Sequence, residues 1–91
     1  MNRLTMYFTL KRRIKVVKRF VSDISLYIDE YETQQKALQL IEKNLSRWAD
    51  VAKNYKFKGL QYKIAELTLH IVFLVRQNDT TVKAWREEYG K

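Results

Sequence analysis

The sequence contains no cysteine and no proline, and only two glycines and one histidine among its 91 residues. Without cysteine there is no disulfide framework, no thiolate nucleophile and no Cys-based zinc site. That usage fits a reducing compartment, and a cytoplasmic location is the expectation. Without proline, and with Gly59 the first glycine of the chain, little forces the backbone out of a helix. Long apolar runs are missing as well. The longest covers residues 71–75, far short of the roughly 20 residues that cross a bilayer as a helix, so no transmembrane segment is expected.

Acid is absent from residues 1–22, which hold seven bases: Arg3, Lys11, Arg12, Arg13, Lys15, Lys18 and Arg19. A secretory signal places its charge ahead of an apolar run. Here the apolar residues 4–10 come first and are interrupted by Thr5 and Thr9. An acid-free, Arg-containing amphipathic start is also a property of mitochondrial presequences. The apolar stripe continues without a break into the rest of the chain, however, which assigns the segment to the fold.

An apolar share of 46%, with 13% aromatic, supports a packed core rather than disorder. Residues 1–91 are expected to form a single helical domain. Leu10, Ile14, Val17, Val21, Ile24, Ile28 and Tyr31 recur in steps of four and three, with Val16, Phe20 and Tyr27 widening the stripe. A second series runs through Leu38, Ile41, Leu45, Trp48, Ala52 and Tyr55 and ends before Gly59, a candidate C′ residue. A third runs through Leu60, Ile64, Leu67, Ile71 and Leu74. Asn78-Asp79-Thr80-Thr81 then offers a turn and a cap for a short last helix bearing Val82, Trp85 and Tyr89. The expected fold is a small antiparallel all-α bundle of three long helices and a short C-terminal one.

Asp29 and Glu32 have capping-box spacing, and the apolar seam changes side there, which predicts a turn near Asp29. The competing arrangement is one continuous helix through both segments, which would form a homodimer. Leu4, Met6, Phe8 and Leu10 also alternate with Thr5, Tyr7 and Thr9, so a basic hairpin over the first 20 residues is a second alternative. Lys11-Arg12-Arg13 is poor hairpin chemistry, and the helix is preferred.

The net charge is +8, from 18 bases and 10 acids, and it is unevenly spread. Residues 1–22 carry +7, residues 23–52 carry −3, residues 53–63 carry +4, and the remainder is neutral, which together make the +8. A turn at Asp29 brings the two basic stretches to one pole of the bundle. The partner is then anionic: DNA or RNA in the first instance, an acidic protein as the alternative, anionic lipid as a third. The candidate contact residues are Arg3, Lys11, Arg12, Arg13, Lys15, Lys53, Lys56, Lys58 and Lys63. Phe57 and Tyr62 are the rings placed to stack on unpaired bases.

Little in the sequence supports catalysis or cofactor binding. His70 shares a helix face with Glu66, four residues earlier, and reads as a boundary contact because no further metal ligand is at hand. Asp29, Glu30 and Glu32 suit a helix N-terminus. Trp48 and Trp85 fall on apolar stripes and read as core. Lys63, Glu66, His70 and Gln77 form a thin polar strip on an otherwise apolar helix, which makes that helix nearly central, with Phe73 covered by the bundle. The expectation is a binding protein, not an enzyme.

Overall fold

The computed structural model describes residues 2–89, Tyr89 by its backbone alone. The chain forms α1 (Arg3–Ser22), a single turn α2 (Ile24–Tyr27), α3 (Tyr31–Asn54) and α4 (Lys58–Tyr89). There is no strand among the described residues, so the N-terminal hairpin is excluded. The α1 helix begins at Asn2, whose side chain accepts a hydrogen bond from the Thr5 amide at 2.8 Å and satisfies one of the unpaired donors of the first turn. Residues 28–30 are non-helical, with Ile28 extended at φ −135°, ψ 113°. That break is the expected turn, and it excludes a continuous helix from α1 into α3.

The turn is built differently from a capping box. Glu30, not Asp29, is the N-cap of α3, and no side chain caps it. Glu32 instead lies 3.9 Å from Lys36 in an i,i+4 ion pair on the exposed surface. The residue that holds the turn is Gln34, only 5% exposed, whose amide donates to the Ile28 carbonyl at 2.6 Å.

α3 and α4 are antiparallel and make the most extensive contact in the bundle. Hydrogen bonds tie them at both ends. Gln61 donates to the Ala52 carbonyl at 3.4 Å, and Gln35 donates to the Val75 carbonyl at 3.0 Å and to Asp79 at 2.6 Å. α1 lies against both, parallel to α4. Between the three helices the core comprises Leu10, Ile14, Val21, Ile24, Leu38, Leu45, Ala52, Phe57, Leu60, Ile64, Leu67 and Ile71. Each buried aliphatic side chain of this size contributes about 1.5–3 kcal/mol.

Three features of the sequence reading need correction. Asn78-Asp79-Thr80-Thr81 is not a turn, and there is no separate C-terminal helix: α4 runs through it for 32 residues. Asn78 donates to Gln34 and Gln35 at 3.3 and 3.4 Å, while Thr80 and Thr81 return their hydroxyls to the carbonyls of Arg76 and Gln77. Polar groups satisfied in this way do not break a helix. The last part of α4 therefore runs past the start of α3, where residues 83–88 are exposed, Trp85 at 66%. Trp85 is thus not a core residue, and the side chain of Tyr89 lies outside the described residues.

Gly59 is not a C′ residue but sits in the first turn of α4. The left-handed position is Lys56, at φ 59°. Lys56 N–H bonds to the Lys53 carbonyl at 3.1 Å and Phe57 N–H to the Ala52 carbonyl at 2.8 Å. This is the hydrogen-bond pair of a Schellman ending, completed by the buried Phe57 and Ala52.

Finally, α4 is not central. Its outward face exposes Tyr62, Leu69 and Phe73 at 69, 71 and 62%, and elsewhere Val16 and Tyr27 are exposed rather than widening the core.

Candidate anion-binding groove

Lys11, Lys15, Lys18 and Ser22 follow one another on α1 in steps of four, three and four, so they form one line along the helix. On α4 the same periodicity lines up Lys63, Glu66 and His70. Because α1 and α4 run parallel, the two lines face each other across a groove of about 450 Å³ whose floor is Ile14, Leu60 and Leu67. The floor residues are 5, 1 and 5% exposed. They are covered, so the groove's accessible surface consists of lysine stems and ammonium groups with a few polar side chains.

Its charge is not neutralised internally. Among the described residues the only ion pair within 4 Å is Lys36–Glu32, on the far surface of α3. Four lysines against the single carboxylate of Glu66 leave the groove at +3 with His70 neutral. Like charges held along two facing helices over a low-dielectric floor give a positive potential that draws anions. Glu66 and His70 share a face as expected, with no ion pair between them. A second cavity of about 630 Å³, lined by Asp29, Gln34, Gln77 and Asn78 among others, shares Ser22 and His70 with the first. The furrow therefore continues toward the Asp29 turn and loses its positive charge on the way.

At the opposite end the two basic stretches meet. The Arg3 guanidinium lies 5.0 Å from the centroid of the Phe57 ring. Tyr7 meets Phe57 edge-on at 5.3 Å, and Tyr55 stacks on it at 5.4 Å with the planes 12° apart. Lys53, Lys56 and Lys58 are exposed around this cluster. Phe57 itself is 7% exposed, so it is a core ring and not one displayed for stacking on a base.

Of the residues singled out from sequence, Lys11, Lys15 and Lys63 come together in the groove. Arg3, Lys53, Lys56 and Lys58 share the pole. Arg12 and Arg13 are exposed but lie about 100° and 200° around α1 from Lys11. Tyr62 is exposed on α4, about 100° around from Lys63, and so stands off the groove. Lys18, Glu66 and His70 are groove residues that the sequence reading left out of the site. The step from Lys11 to Lys15 to Lys18 is the signal that identifies Lys18. For Glu66 and His70 the signal exists only once α1 and α4 are seen to be parallel neighbours.

Among the described residues no three His, Asp or Glu side chains cluster as metal ligands would, and no helix is long and apolar enough to cross a membrane. Comparison of the chain with protein-family models, with curated proteins and with solved structures finds no match.

Proposed function

We propose that this protein is a small basic accessory factor that binds nucleic acid, gripping the phosphate backbone with α1 and the groove α1 shares with α4. The observation that carries the reading is the condition of α1. All seven of its bases are exposed, it carries no acid, and three of its lysines face Lys63 across a groove without any ion pair. Unpaired ammonium groups in a row neutralise successive phosphates and release their counterions, which makes binding tight at low salt and weak at high salt. The row of ammonium groups without carboxylate partners favours this over a neutral, apolar partner.

An acidic protein is the second reading. It is supported by the lower half of the furrow, where the positive charge gives way to polar side chains and the exposed Gln77 amide offers hydrogen bonds suited to a polypeptide. Electrophoretic mobility shifts with duplex DNA, single-stranded DNA and RNA across a salt series separate the two. Nucleic-acid binding gives retardation that fades steeply with salt. No retardation at low salt, with an acidic protein recovered from the native host, gives the second reading.

A further inference from the structure

The outward face of α4 carries a seam that the bundle itself leaves unused. Tyr62, Glu66, Leu69, Phe73, Arg76 and Thr80 follow one another in steps of four, three, four, three and four. That is the alternation of a and d positions in a coiled coil. All six are exposed, the three large apolar ones at 69, 71 and 62%. The helix buries a different side against α1 and α3, the one bearing Leu60, Ile64, Leu67 and Ile71. α4 is thus apolar on two opposite faces, and only one of them is covered.

We propose that the second face is covered by the same face of a second copy of this chain, with the two α4 helices antiparallel and their dyad at the level of Ile71. The residue pattern selects this partner and this register. In a symmetric antiparallel pair, residues equally far on either side of the dyad oppose one another. With the dyad at Ile71, Leu69 meets Phe73 of the second copy, Glu66 meets Arg76, and Tyr62 meets Thr80, each pair occurring twice.

Every layer is complementary: apolar on apolar, acid on base, phenol on hydroxyl. Moving the register by a heptad in either direction sets Glu66 against Leu69 or Arg76 against Phe73, which buries a charge without a partner. Parallel pairing sets Glu66 against Glu66 and Arg76 against Arg76. Charge therefore excludes the alternatives that the apolar residues alone would accept.

The pattern also extends past the central layers. Lys83 and Glu87 continue the seam by steps of three and four from Thr80. In the same register Lys83 falls at Gly59 of the second copy, where a side chain would have open space around it. Glu87 falls at the 55–58 turn, beside Lys56 and Lys58. Glu87 of each α4 then approaches the basic pole of the other copy.

The interface has few apolar layers and two ion pairs, so a reversible dimer that dissociates on dilution is expected. Sedimentation velocity over a concentration series reads it directly, with mass rising from one chain toward two. Phe73→Asp weakens association at least about tenfold. Glu66→Arg also weakens it, and adding Arg76→Glu restores it. All three positions are exposed in the single chain, and unchanged helicity and thermal unfolding of the dilute variants confirm that folding is intact.

Cysteine pairs test the register, and the chain has no native cysteine to interfere. A mixture of Tyr62→Cys and Thr80→Cys proteins cross-links on oxidation, and each variant alone does not. A protein that stays monomeric at every concentration overturns the proposal. So do failure of the Glu66→Arg/Arg76→Glu pair to restore association, and cross-linking of either cysteine variant with itself.

Discussion

The guanidinium of Arg3 lies over the ring of Phe57, 5.0 Å from its centroid, and joins the first turn of α1 to the turn between α3 and α4. Tyr7 and Tyr55 close on the same ring. This is where the two basic segments of the sequence meet. An aromatic ring with a negative face is a suitable anchor for a cation that would otherwise be repelled by Lys53, Lys56 and Lys58.

Removing that ring should loosen the pole. Phe57→Ala is expected to destabilise the protein by about 3 kcal/mol, because it leaves a cavity among Tyr7, Tyr55 and the core and strips Arg3 of its partner. Urea unfolding followed by circular dichroism measures it. A loss below about 1 kcal/mol would mean that the cluster adds little to the packing.

Lys56 stands in the left-handed region, which costs a residue with a Cβ about 1–2 kcal/mol relative to glycine. Lys56→Gly is expected to raise stability, by about 0.5–1 kcal/mol after the greater freedom of glycine in the unfolded chain is counted. The urea midpoint should increase with no change in the slope of the transition. Lys56→Ala, which removes the charge and keeps the strain, should not stabilise.

Gln34 and Asn78 form a polar link between the start of α3 and the middle of α4. Asn78→Ala deprives the buried Gln34 of a donor and is expected to cost about 1–3 kcal/mol. Asn78→Gly, a helix breaker, tests something else and should cost more. If α4 ended near Asn78, both substitutions would be close to neutral, and thermal unfolding distinguishes the cases.

These residues also show where sequence reading succeeds and where it stops. Leu10, Ile14, Val21, Leu38, Leu45, Ala52, Leu60, Ile64, Leu67 and Ile71 were all legible as core, because burial along a helix follows the same period as the sequence pattern. The turn near Asp29 was legible from the change of seam, though not its mechanism. Asn78-Asp79-Thr80-Thr81 was misleading because its local chemistry is that of a turn. What keeps it helical is Gln34 and Gln35, more than 40 residues away for the Asn78 and Asp79 bonds. Lys56 was illegible as a helix ending, since glycine three residues later carries the stronger local signal.

The groove was half legible. Lys11, Lys15 and Lys63 read as contact residues from sequence and Lys18 follows from their spacing, while Glu66 and His70 belong to the groove only because α1 and α4 run side by side with Ser22 level with His70. Phe57 reads as a contact residue in the sequence because a ring between lysines suggests exposure. Its neighbours in space, Arg3 and Tyr7, are some 50 residues away in sequence.

Neutralising the groove should separate it from the rest of the charge. Lys15→Ala with Lys63→Ala is expected to weaken binding to nucleic acid and to flatten the dependence of log affinity on log salt by about 1.4 to 1.8, according to whether the strand is single or double. Lys36→Ala with Lys43→Ala removes the same charge from exposed positions of α3 and should leave that slope unchanged. Equal effects from the two pairs would mean that only net charge matters.

The most direct test of the central claim is the salt dependence of binding by the unaltered protein, measured by mobility shift or fluorescence anisotropy on labelled duplex and single-stranded probes. Contacts from the groove lysines and the arginines of α1 predict a log–log slope steeper than about −3, with little preference for sequence. No binding at low salt, or binding with a slope near zero, would contradict the account.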